Sequence, residues 1–125
     1  MVSSTTSALS ELPNMVFGGG SHKYAIVNGS SVTILVPAVV GMKIRLLAGL
    51  FVSTDNITAR VITIQSKETD ESAVDLTGAM SAQQNVNIVL PFSPAGWLET
   101  SAGDLLQMST TGTFTGCIVY DEVAG

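Results

Sequence analysis

Hydrophobic and polar residues alternate through most of this chain in short runs parted by Gly, Pro, Asn and Asp. Alternation with period two marks a strand with one buried face, and turn residues between such runs mark reversals. The pattern predicts strands over Lys23–Asn28, Ser31–Val36, Met42–Ser53, Ile57–Ser66, Ala73–Thr77, Asn87–Phe92, Leu105–Thr110 and Phe114–Val123. In the longest, Met42, Ile44, Leu46, Ala48, Leu50 and Val52 share one face, which reads as core. Arg45, Leu47, Gly49 and Phe51 share the other, a mixed face suited to a second chain or layer. In the last strand Thr115, Cys117, Val119 and Asp121 oppose Gly116, Ile118 and Tyr120.

Two turn signals predict hairpins. Asn28-Gly29-Ser30 can supply the positive φ of a tight turn between the first two strands, and Thr111-Gly112-Thr113 joins the last two. Thr54-Asp55-Asn56 reads as a turn, Lys67–Ser72 as a charged loop and Gly78–Asn85 as a polar segment. Pro91, Pro94, Gly96 and Gly103 bracket a corner that holds Trp97. No window sustains a 3.6-residue apolar period over helical length. About eight short antiparallel strands at this spacing predict an all-β, jelly-roll-like β-sandwich over residues 21–125.

Residues 1–20 differ. They are Ser/Thr-rich and aperiodic, and they end in Gly18-Gly19-Gly20, so they read as an extended N-terminal arm with a glycine hinge. Leu9, Leu12, Met15, Val16 and Phe17 are too apolar for a purely solvated tail. They are candidate partner contacts, able to dock on this domain or on a neighbour.

Composition changes the picture in one respect. Of the 125 residues 46% are hydrophobic and only 12% charged. A small domain has much surface for its volume, so some apolar surface is expected to be covered by other subunits. The net charge of −5, with Lys23, Lys43, Arg45, Arg60 and Lys67 scattered, argues against nucleic acid and against an anionic membrane surface. No apolar run reaches the ~20 residues of a membrane-spanning helix. The N-terminus lacks the basic and apolar regions of a signal peptide, so synthesis in the cytoplasm is expected.

Candidate chemistry is sparse. The single His22 has no second ligand at metal spacing and reads as an ordinary surface histidine. Cys117, the single cysteine, cannot form an internal disulfide and reads as a small buried hydrophobe within its strand. Glu68, Asp70 and Glu71, with Asp75 near, lack the glycine and spacing of a calcium loop and read as a solvated loop tip. No nucleophile elbow, phosphate loop or dinucleotide fingerprint is present. Trp97 reads as an interface residue or a core plug, with a sugar-stacking platform as the other possibility.

A resemblance carries the functional expectation. The stretch Leu90-Pro91-Phe92-Ser93-Pro94-Ala95-Gly96-Trp97-Leu98-Glu99-Thr100-Ser101-Ala102-Gly103-Asp104-Leu105, with Gly41-Met42-Lys43-Ile44-Arg45 before it and Thr115-Gly116-Cys117-Ile118-Val119-Tyr120 after, resembles the small capsid decoration, or cement, proteins of tailed bacteriophages. The likeness spans residues 38–121. It implies a non-enzymatic virion protein, without cofactor or small-molecule substrate, on the capsid exterior. It further implies a homotrimer that clamps neighbouring major capsid proteins. The alternative is a head-fibre or tail-associated receptor- or carbohydrate-binding module built on the same sandwich.

Overall fold

The computed structural model describes residues 22–55, 57–83 and 87–125. The arm, its hinge and the candidates Leu9, Leu12, Met15, Val16 and Phe17 lie outside the described residues. Within them the chain forms β1 (Lys23–Gly29), β2 (Val32–Val36), β3 (Met42–Ser53), β4 (Arg60–Lys67), β5 (Val74–Asp75), β6 (Met80–Ala82), β7 (Asn87–Leu90), β8 (Leu98–Glu99), β9 (Leu105–Thr110) and β10 (Phe114–Ala124), and no helix.

These strands make two antiparallel sheets. The first runs β1-β10-β3-β7, with β8 also on β3; the second runs β2-β9-β4-β5, with β6 also on β4. With β5 and β6 taken as one interrupted strand, and β7 and β8 as another, the pairs nest. First meets last, second meets next to last, and so inward to β4 with β5 and β6. Nested pairing folded into two sheets is the jelly roll. The expected all-β sandwich is therefore what the chain forms. Between the sheets lie Val27, Ile44, Leu46, Phe51, Phe114 and Ile118 from the first, and Leu35, Val36, Ile62, Ile64, Leu106 and Met108 from the second.

The hairpin readings are corrected. β1 pairs with β10 and β2 with β9, so Asn28-Gly29-Ser30 carries the chain from one sheet to the other. Thr111-Gly112-Thr113 likewise crosses between β9 and β10, which lie in different sheets. The positive φ falls on Ser31, at 60°, and not on the Asn-Gly pair. Ser31 is held by the far strand: its carbonyl accepts the N–H of Thr110 at 2.8 Å. Closing the core needs a crossing here, and a local reversal alone cannot supply one.

The single core face of β3 is also corrected. Ile44 and Leu46 lie in the core, but so does Phe51, and Leu47 and Ser53 are buried too, whereas Leu50 and Val52 are only partly buried. Opposite this point the register with β10 slips: Val119 faces Ala48 and Tyr120 faces Leu46, which leaves Leu47 as an extra residue. One inserted residue reverses the facing of everything beyond it. The carbonyls of Leu46 and Leu47 consequently turn to the same edge, where they accept the N–H groups of Trp97 (2.8 Å) and Ser93 (2.9 Å).

β4 begins three residues later than the alternation predicts, because Asp55 folds the approach into a turn. Its Oδ1 accepts the N–H of Ile57 at 2.8 Å and of Thr58 at 2.9 Å, and its Oδ2 meets Arg60 Nη2 at 2.6 Å. The Thr58 and Ile57 N–H groups, then Arg60, hold the Asp55 carboxyl down at about 2, from an ordinary 3.8. A lowered folded-state value means that this turn contributes its stability above the ordinary value and loses it as pH falls toward about 2. We expect the Asp55 carboxyl resonance to titrate near that pH, and Arg60→Ala to raise the midpoint only partly, since two backbone donors remain. A midpoint at the ordinary value would show that the turn is not formed.

Candidate interaction surface

The two sheets differ on their outer faces. On the second sheet the middle row is hydrogen-bonded: Gln107 Nε2 donates to Gln65 Oε1 at 2.7 Å, and Gln65 Nε2 donates to Asp75 Oδ1 at 2.9 Å. Ser109 and Thr63 pair in the next row, and Val32 and Ile34 are exposed on the edge strand. That face is polar and internally hydrogen-bonded along its middle, with Gln107 itself buried, and apolar along its β2 rim.

The first sheet is built otherwise. Val27, Ile118 and Phe51 point inward, so the alternate residues point out. Register places Ile26, Cys117, Leu50 and Val89 in one row across β1, β10, β3 and β7. Tyr24, Val119 and Ala48 form the row on one side, and Asn28, Thr115, Val52 and Asn87 the row on the other. No charged residue stands in any of the three. Tyr24 is 76% exposed, Ile26 74% and Val89 58%. A shallow depression of about 170 Å³ between Ala48, Leu50, Leu90, Cys117 and Val119 marks the centre.

Beyond the Leu47 bulge the same face becomes ionic. Asp121 lies opposite Arg45, and Arg45 opposite Glu99. His22 Nδ1 contacts Asp121 Oδ1 at 2.6 Å, Arg45 Nε meets Glu99 Oε2 at 2.5 Å, and Lys43 lies 3.9 Å from Glu99 Oε1. Opposite charges are matched within the chain. The bulge thus separates an apolar field from a self-neutralised ionic band.

The corner after β7 borders that band. Gly96 takes a φ of 86°, and a Cβ there would lie 2.5 Å from Arg45 Cγ, so the corner closes tightly over β3. Phe92 reaches toward the β1 edge, its ring 5.7 Å from that of His22. Trp97 stays 49% exposed while its Nε1 donates to the Pro91 carbonyl at 2.7 Å. Trp97 is therefore no core plug; it stands beside the apolar field with half its indole open.

Two sequence readings are corrected here. His22 is largely covered, its side chain 10% exposed between Asp121 and Phe92, rather than a free-standing surface histidine. Cys117 is exposed, because its neighbours Gly116 and Ile118 take the inward positions. The field itself, made of Tyr24, Ile26, Leu50, Val89 and Cys117, was not anticipated as a site. Its signal is the unbroken run Tyr24-Ala25-Ile26-Val27, which is apolar on both faces of one strand.

At the crossing end a cleft of about 450 Å³ is lined by Thr54, Asp55, Ile57, Arg60, Thr111, Gly112 and Thr113. Its charged groups, Asp55 and Arg60, are bound to each other. Among the described residues no group of three or more His, Cys, Asp or Glu side chains is placed to hold a metal ion. The chain matches no family model, no curated protein and no solved structure. What the fold and the surface define is a jelly-roll domain with an uncharged apolar field on one sheet.

Proposed function

We propose that this chain is a non-catalytic structural protein that decorates and stabilises the exterior of a bacteriophage capsid, binding major capsid proteins as a homotrimer. One observation carries the assembly part: a field four strands wide and free of charge on the outer face of the first sheet, where the second sheet instead carries the hydrogen-bonded row of Gln107, Gln65 and Asp75. Exposed apolar fields of this kind mark protein–protein contact. The virion setting is supported by the likeness of the Leu90–Leu105 corner, and of the strands beside it, to cement proteins. On this reading the arm residues Leu9, Leu12, Met15, Val16 and Phe17 touch the capsid, and Trp97 lies in the contact between copies. An arm pairing with a sheet edge gains affinity from backbone hydrogen bonds, and many copies on a lattice add avidity.

The test is immunogold labelling of the chain on virus particles purified from its source. Dense, regular label over the whole head is expected. Label confined to tail or fibres would transfer the protein to the receptor- or carbohydrate-binding class, with Trp97 as the stacking platform. Particles without label would overturn the proposal.

A further inference from the structure

We infer that the apolar field centred on Cys117 is covered by a second copy of this chain. The inference rests on the assembly part of the function proposed above and is independent of the virion setting.

Size is the first reason. Four strands at about 4.8 Å spacing give a width of roughly 19 Å, and three side-chain rows give a length of roughly 20 Å. The field thus has a plan area on the order of 400 Å², to which the bordering rings of Phe92 and Trp97 add roughly 150–200 Å². Each partner in a stable specific interface contributes about 600–1,000 Å², so a whole domain on this field comes near the lower bound. One extended segment laid along the sheet covers only part of that width. A broad, nearly flat occupant fits better, and sheet faces pack well on one another.

Charge is the second reason. The chain carries a net charge of −5, so two copies repel wherever their charges meet. This field carries none, and in the ionic band beside it Arg45 and Lys43 offset Glu99 and Asp121. Two copies can close over it without like-charge repulsion. A partner of opposite charge would find nothing here to recognise, since electrostatic complementarity is what steers unlike partners together.

The single thiol makes the field measurable. The full chain is examined by light scattering for molar mass and by maleimide labelling for the rate at Cys117, each from about 1 to 100 µM. A multiple of 12.9 kDa is expected. Cys117 should label about tenfold or more slowly than in the urea-unfolded chain, because a covered thiol is shielded from attack. Ile26→Lys combined with Val89→Lys, both at exposed positions on outer strands, should return the single-chain mass and restore rapid labelling. A wild-type chain of single mass overturns the inference, whether its thiol is open or is covered by its own arm. An oligomer that persists in the double variant, or one whose Cys117 stays reactive, overturns it as well. The wild-type measurements stand even if the double variant fails to fold. A single-chain protein that still labels phage heads would leave the virion proposal intact, and an oligomer that labels none would do the reverse.

Discussion

Gly116→Ala is expected to abolish the cooperative folded state. A Cβ at this position would lie 1.8 Å from the Leu50 carbonyl oxygen and 2.8 Å from its carbonyl carbon. Both atoms belong to the backbone of β3, in the middle of the first sheet. Gly116 is paired with Val27 on one side and Phe51 on the other, so neither strand can move away without breaking the ladder. Its φ of +144° adds strain for any L side chain. Backbone strain alone is worth about 1–3 kcal/mol, and the clash exceeds it. Against a total stability of about 5–15 kcal/mol, the sum leaves little folded protein. The check is urea denaturation followed by far-UV circular dichroism. A variant that keeps the wild-type midpoint would show that β10 does not run between β1 and β3 as described.

Phe51→Ala is the second large effect, at about 3–5 kcal/mol, because it empties a fully buried aromatic position between the sheets. Its neighbour should behave quite differently. Leu50→Ala removes a side chain from the outer face and is expected to change the stability of a single copy by less than about 1 kcal/mol. The pair tests the bulge. Unbroken alternation from Met42 puts Leu50 in the core and Phe51 outside it, and so demands the opposite order. Denaturation midpoints of the two variants at low protein concentration decide between them.

Most strands were legible in the sequence because each carries its own alternation and its own turn residues. β10 shows this best, with Gly116, Ile118 and Tyr120 set correctly against Thr115, Cys117 and Val119. The bulge in β3 was not legible. Leu46 and Leu47 are both apolar, so a change of facing between them leaves no trace in the hydrophobic pattern. The crossings at Asn28-Gly29-Ser30 and Thr111-Gly112-Thr113 were misread for a related reason. A glycine-containing turn serves a hairpin and a crossing equally, and only the distant partner strand decides between them. β6 and β8 were missed because two or three residues hold too little pattern to register. The interaction surface combined both difficulties. Its rows exist only once β1, β10, β3 and β7 are laid side by side, and on β3 all three follow the bulge, where the facing read from Met42 is reversed.

The nesting of the strands also sets when this protein can become itself. Among the described strands β1 has a single partner, β10, and β10 is the last of them to be made. Until then Tyr24-Ala25-Ile26-Val27 is a sticky ribbon with nothing native to pair with, and the first sheet consists of β3 with its short neighbours. Folds dominated by such distant pairings are slow to form, and their unfinished chains are prone to aggregate. Synthesis and folding are therefore separated in time. β10 must emerge before the fold can close, and a ribosome stalled just ahead of it would hold a product with nine of the ten described strands made and a first sheet reduced to β3 with its short neighbours.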